Sequence, residues 1–256
     1  MASQNLKEGG NIFQGTADFD HTMIPAMMKQ VNSVMAKTGV KALPIGSGAT
    51  PTPGKVSGDL DMIADAGQIR DYFGVKDNKD AKIELEKLFQ QAGLDTAKTG
   101  TSVHVKVPVG NEAHQVDIMV VPNAEHSSQF HVHNIPQGSP YKGVHKQIAL
   151  AYLAKQKGLL WSPYSGLFSR LPNGKKDPNG FVTHDTDGVA KELLGSNATF
   201  RDLGSLESIM KVMDPAAAQQ MLADLKATNP DKFTESAELT RIKQLSGLTL
   251  NSVRLL

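Results

Sequence analysis

The sequence predicts an α+β protein, and three observations predict it. Val103, Val105, Val107 and Val109 alternate with polar or small residues, and a second run, Ala113 to Val121, follows across Gly110-Asn111-Glu112. Successive strand side chains point to opposite faces, so this pattern reads as an antiparallel hairpin. Two other stretches have helical spacing: Ile24, Met27, Met28, Val31, Val34 and Met35, then Ala81, Leu85, Leu88, Phe89 and Ala92. Beyond about residue 140 the pattern is mostly helical. The expectation is a small mixed sheet with helices behind it, then a mostly helical part and a short helical tail.

The elements follow in order. Residues 1–21 are polar and Gly-containing, and read as a loose arm or an irregular packing segment. The helix from Thr22 stops at Gly39, where a left-handed residue can end it. Val40 to Ile45 reads as a short strand, running into Gly46-Ser47-Gly48 and then a loop rich in Pro, Thr and Gly. Asp59-Leu60-Asp61-Met62-Ile63 reads as a second strand. Ile69 to Phe73 forms a short helix, and Asp80 to Ala92 a longer one closed by Gly93. After the hairpin, Phe130 to Ile135 reads as extended. Val144, Ile148, Ala151 and Tyr152 mark the apolar face of a helix that ends at Gly158. Residues 159–185 carry one hairpin, Asp187 to Leu194 is helical, and small helices broken at Pro215 and Pro230 run from Leu206.

Composition narrows the class. Lys plus Arg total 27 and Asp plus Glu 26, so any basic surface is local rather than global. Aromatic residues are 5%, too few for a broad stacking surface for single strands. Cysteine is absent, which excludes disulfides and thiolate chemistry. The first residues have no apolar run of a signal peptide, and no stretch approaches the ~20 apolar residues of a membrane span. A soluble cytoplasmic protein is the expectation.

The chemistry gathers on carboxylates. Asp59 and Asp61 are two apart on a predicted strand and share one face, while Leu60 and Met62 face the core. Two adjacent carboxylates repel unless a cation lies between them, and oxygen donors suit a hard ion such as Mg²⁺. Asp117 lies on the second strand of the hairpin, with Val116 and Ile118 facing the other way. If that strand neighbours the Asp-Leu-Asp strand, three carboxylates meet, and paired metal ions about 3.5–4 Å apart are standard machinery for in-line phosphoryl transfer. The Gly46-Ser47-Gly48 turn can expose backbone N–H groups and a hydroxyl to a phosphate. Taken singly, an Asp-x-Asp is common on surfaces and a Gly-Ser-Gly is an ordinary turn. Their combination is the signal.

These residues resemble a known family. Gly46-Ser47, then Val56-Ser57-Gly58-Asp59-Leu60-Asp61, then Val116-Asp117-Ile118-Met119-Val120 are similar to the signature of the DNA polymerase beta nucleotidyltransferase superfamily, closest in wording to family X DNA polymerases. Gly138-Ser139, the helix ending at Gly158, Tyr164-Ser165-Gly166-Leu167-Phe168 and Thr186-Asp187 to Leu194 resemble the thumb of those enzymes. The resemblance covers roughly residues 22–204. It implies a nucleotidyltransferase palm at 22–128 and a thumb-like, mostly helical subdomain at 129–204; an arm at 1–21 and a helical tail at 205–256 lie outside it. It also implies two Mg²⁺ (or Mn²⁺) ions held by Asp59, Asp61 and Asp117, with Asp117 taking the proton from the attacking hydroxyl. Gly46 and Ser47 would bind the triphosphate, with Lys55 the one basic residue of the loop, and Gly138 and Ser139 would face sugar and base.

The chain departs from that pattern in places. Lys55, the only basic residue in the loop that follows the first Gly-Ser, comes late. Ile135-Pro136-Gln137 stands where an aromatic pair is typical, and Pro140-Tyr141-Lys142-Gly143 follows the second Gly-Ser. The roughly twenty residues ahead of the palm motifs do not read as a lyase-type or helix-hairpin DNA-binding domain, so the expectation is nucleotidyl transfer, with templated synthesis less favoured. The implied partner is a nucleoside triphosphate, and the favoured acceptor is a nucleic-acid 3′ end. Lys142 and Lys146, with His145, Lys155 and Lys157, would meet its backbone, although a merely solvated helix face explains them equally well. An acceptor hydroxyl on RNA, protein or a small molecule is the alternative, and a catalytically silent binding or scaffold relative is the rival from another class. His126, His131 and His133 are closely spaced, but strand-edge histidines more often hold no zinc. Trp161 reads as a packing anchor.

Overall fold

In the computed structural model, residues 12–136 and 138–233 are described. The chain divides into two compact units at Val132/His133. The first begins with β1 (Phe19–Asp20), a 3₁₀ turn and α1 (Ile24–Met35). There follow β2 (Leu43–Pro44), β3 (Val56–Ser57), β4 (Asp59–Asp65), α2 (Ala66–Phe73), α3 (Asn78–Gln91), β5 (Thr96–Thr99), β6 (Ser102–Val109), β7 (Glu112–Val121) and α4 (Ala124–His131). The expected α+β class is what the structure has: helices and a mixed five-stranded sheet of order β2-β4-β7-β6-β5.

The predicted hairpin forms, with Val103 opposite Ile118 and Val105 opposite Val116. β4 joins it in parallel, and the other ladders are antiparallel. One face of this sheet is apolar: Leu60, Met62, Val103, Val105, Val107, Val116 and Ile118 are buried with Met27, Val31 and Met35 of α1 and Leu85 and Phe89 of α3. Each such side chain contributes about 1.5–3 kcal/mol through removal from water. The helices start where the sequence supplies a cap. Asp65 accepts from the Gln68 N–H, Asp77 from Asp80 and Asn123 from His126, satisfying donors left open by the first turn.

Several expectations need correction. The strand expected over Val40–Ile45 shrinks to Leu43–Pro44, because the Ala42 backbone is satisfied by the Asn32 side chain instead of a ladder. The extended stretch expected at Phe130–Ile135 begins inside α4, which is capped by Asn123 and buries Phe130. β5 was missed, since Thr96-Ala97-Lys98-Thr99 is a largely polar edge strand with no alternation of apolar residues. Of the two readings of residues 1–21, the packing segment holds from residue 12 on, and the loose arm does not. The Ala17 N–H donates to the Ala113 carbonyl, Phe19 is buried and β1 pairs with β3.

The second unit contains α5 (Gly143–Gln156), β8 (Leu159–Ser162), β9 (Gly166–Arg170), β10 (Lys176–Thr183), α6 (Thr186–Leu194), α7 (Leu206–Val212) and α8 (Pro215–Thr228). Residues 159–183 form a three-stranded antiparallel sheet rather than one hairpin, so this part is less helical than expected. Irregular pairing between β9 and β10 hides the period of two from the sequence. The expected tail is not separate from the thumb-like part: α7 and α8 pack on α5, and the Tyr152 hydroxyl donates to Asp224. Of the last expected helix only residues 230–233 are described, and they are helical; the rest lies outside the described residues.

Candidate active site

The second face of the five-stranded sheet is polar. Asp59 and Asp61 project from β4 on the side opposite Leu60 and Met62. In the parallel ladder Asp61 lies directly beside Asp117 and Asp59 beside Gln115. Adjacent strands are about 4.8 Å apart, so these side chains share one patch. On β6, His104 stands opposite Asp117 and Lys106 opposite Gln115. The condition set by the sequence, that the Asp-Leu-Asp strand neighbour the hairpin's second strand, is met.

The Gly-Ser-Gly segment reaches the same patch. Gly46–Gly48 forms a 3₁₀ turn directly after β2, and the Ile45 N–H donates to the Asp61 carbonyl at 3.0 Å. Gly46 has φ +57°, and a Cβ built there would lie 4.0 Å from Asp61 Oδ2. A left-handed backbone beside a carboxylate explains why this position takes glycine. Ser47 is exposed next to it.

The electrostatics mark a crowded anionic site. Burial, and then the charge of Asp117, raise the Asp59 carboxyl above its ordinary range. Burial, then the charges of Asp59 and Asp117, push the Asp61 carboxyl up to about 7. Asp61 is nevertheless exposed to solvent. Water that reaches Asp61 screens both effects, so the direction of the shift stands while its size is reduced. Among the described residues no group of three or more His, Asp or Glu side chains closes around a single point. The candidate ligands are thus neighbours on one face, not a preformed cage.

Asp117 is the best supported of the three. Its Oδ1 lies 2.7 Å from His104 Nδ1 and accepts the Gln115 Nε2–H at 3.0 Å. His104 Nε2 lies 2.6 Å from Thr99 Oγ1, and Gln115 Oε1 accepts the Ile12 N–H at 2.7 Å. His104 and Gln115 are buried. Sequence reasoning missed both. Each occupies a polar position of an alternating strand, and only the pairing register places it at Asp117.

The loop between the turn and β4 is tied down by His21. The buried His21 ring accepts the Thr52 N–H at Nδ1 and donates from Nε2 to Ser57 Oγ. Burial, then the Lys55 charge, lower its pKa, which favours this neutral form. Lys55 itself is exposed, and its carbonyl accepts the His21 N–H.

The remaining candidates lie in the second unit. Gly138 has φ +80°. The Ser139 hydroxyl donates to Glu207 of α7 and accepts the Tyr141 N–H, so it is engaged within the unit. Lys142 is exposed at the start of α5, and Lys155 and Lys157 are exposed at its end. Lys146 requires correction as a phosphate contact: it is 1% exposed, and burial pushes its pKa down to about 7. Helix α5 is apolar on more than one side. Its inner face is His145, Lys146, Ala149, Leu150, Leu153 and Ala154, whereas Val144, assigned inward from the sequence, is exposed. Trp161 is the expected anchor, buried with its Nε1–H on Gln147.

The fold and patch together define an α+β protein with an acidic cluster on one sheet face beside a Gly-Ser-Gly turn. No protein-family model matches the chain, and no curated protein sequence matches it. Among the described residues no helix is long and apolar enough to cross a membrane.

Proposed function

We propose that the protein is a metal-dependent nucleotidyltransferase of the polymerase beta type, transferring a nucleoside monophosphate from a nucleoside triphosphate to a hydroxyl. One observation carries the reading: Asp61 and Asp117 stand side by side on neighbouring strands, with Asp59 on the same face and the Gly46–Gly48 turn against Asp61. The donor set is all carboxylate oxygen, and burial first and mutual repulsion second disfavour the charged forms of Asp59 and Asp61, a penalty that a hard divalent cation would relieve. Asp59, Asp61 and Asp117 would hold two Mg²⁺ or Mn²⁺ ions. When bound, such ions neutralise the charge of the reacting phosphates and align entering and leaving oxygens.

The protein groups supply the rest. Gly46 and Ser47 offer a backbone N–H and a hydroxyl to the triphosphate, and Lys55 a nearby positive charge. Asp117 accepts the acceptor's hydroxyl proton. The freed oxygen forms a bond to the α-phosphorus, the bond from that phosphorus to the α–β bridging oxygen breaks, and pyrophosphate leaves. Lys142, exposed in the second unit, is the candidate for an acceptor's backbone. A nucleic-acid 3′ end remains the favoured acceptor. The burial of Lys146 leaves fewer lysines to bind it, which favours keeping an RNA, protein or small-molecule hydroxyl as the second reading.

The test is incubation of the protein with each labelled nucleoside triphosphate, Mg²⁺ or Mn²⁺, and DNA, RNA or protein acceptors. Transfer that needs the metal and is lost in Asp61→Ala supports the reading. Metal-independent transfer, or full turnover by Asp61→Ala, overturns it.

A further inference from the structure

We propose that His104 is a positioning residue for Asp117, acting through a Thr99–His104–Asp117 chain; this rests on the reading of Asp117 as metal ligand and proton acceptor. An ionised carboxylate only accepts, so the proton of the His104 ring belongs on Nδ1, 2.7 Å from Asp117 Oδ1. Nε2 then accepts the Thr99 hydroxyl proton across 2.6 Å, which fixes the tautomer.

The geometry decides which oxygen of Asp117 is available. His104 and Gln115 both donate to Oδ1. Oδ2 has no hydrogen-bond partner among the described residues. The terminal torsion of an aspartate is soft, and a carboxylate alone would present either oxygen. Two donors converging on Oδ1 remove that freedom and leave Oδ2 for a cation or a proton. His104 can do this because it sits in mid-strand on β6, opposite Asp117 and 5% exposed, rather than on a loop. Partners that orient a metal-binding side chain are worth about 10–100-fold in metal affinity or activity.

The full-length protein serves for the test. In the metal-free wild type, ¹⁵N NMR of the imidazole rings should show His104 protonated on Nδ1, with that signature lost in Asp117→Ala. His104→Ala should weaken Mn²⁺ binding, followed by electron paramagnetic resonance, and lower kcat by about 10–100-fold, with less change in nucleotide KM. His104→Asn, whose amide nitrogen can occupy the Nδ1 position, should recover most of the loss, and Thr99→Val should lose least. A wild-type ring protonated on Nε2 and indifferent to Asp117→Ala, or Mn²⁺ affinity and kcat in His104→Ala equal to wild type, overturns the proposal. Should His104→Ala fail to fold, the wild-type ring spectrum and His104→Asn decide. A wild type that neither binds Mn²⁺ nor transfers nucleotide sinks the metal reading instead, while the ring tautomer still decides whether His104 holds Asp117.

Discussion

The two faces of the five-stranded sheet are built by the same strands and do opposite things. Residues 116 and 118 of β7 enter the apolar core, and residues 115 and 117 enter a patch of acids and hydrogen-bond donors. The apolar face is packed against α1 and α3 and stabilises the unit. The polar face gathers like charges, which costs stability wherever they ionise together. A period of two lets one strand carry both, because neighbouring residues never share a face. The site therefore inherits rigid positions from the core behind it.

The largest expected effect separates function from folding within one strand. Asp117→Asn and Asp61→Asn should each lower nucleotide transfer by at least about 100–1000-fold, measured as steady-state turnover in Mg²⁺. Circular dichroism should show both variants folded. If either is inactive only because it is unfolded, the division between faces is wrong.

The converse change is next in size. Ile118→Ala, one residue away on the core face, should destabilise by about 2–5 kcal/mol in urea unfolding. At temperatures where it stays folded its turnover should remain near wild type. A Ile118→Ala protein as stable as wild type would mean that the β4–β7 pair is not packed as described.

A smaller effect comes from pH. The unfolded Asp61 carboxyl ionises near 3.8, whereas in the folded protein it holds its proton to about 7. Between those values the folded state binds more protons, so stability falls as pH rises through the window and levels off above it. In chelator, the stability of wild type relative to Asp61→Asn should fall from about pH 4 to about pH 7. Because Asp61 is exposed, solvent screening reduces the size of the effect but not its direction. Added Mg²⁺ should raise the wild-type melting temperature most at the upper end of that range. Parallel curves for the two proteins would show that Asp61 is not the group responsible.

The smallest effect lies away from the sheet. Lys142 is exposed on α5, while Lys146 is buried on its inner side. Lys142→Glu should weaken a nucleic-acid acceptor and flatten its log–log salt dependence by about one unit, without altering nucleotide KM. Lys146→Met should leave the salt slope unchanged. Equal slopes for wild type and Lys142→Glu would remove this helix as an acceptor surface.

The contrast between α5 and the central hairpin shows how far a linear pattern reaches. The hairpin has a single strict period, so its inward residues were readable one by one. In α5 the apolar residues surround most of the helix, and the inner face is selected by β8, α7 and α8, which no local spacing reports. The cap at Asn123 was legible, but the apolar residues after it suggested an extended run. β5 carries no apolar alternation at all, and its pairing with β6 makes it a strand.

By itself the sequence determined the α+β class, the two faces of the hairpin, and the identity of Asp59, Asp61, Asp117 and the Gly-Ser-Gly turn as one candidate group. Those features depend on local periodicity, on left-handed backbone at glycine, and on the charge of carboxylates, all properties of short segments. Only the tertiary structure decided that Asp61 lies beside Asp117, that His104 and Gln115 hold Asp117, and that Lys146 turns inward. Each of these is set by which strand or helix packs beside which. Such pairings join residues far apart in the chain, and their free energy comes from burying whole faces together rather than from any one segment.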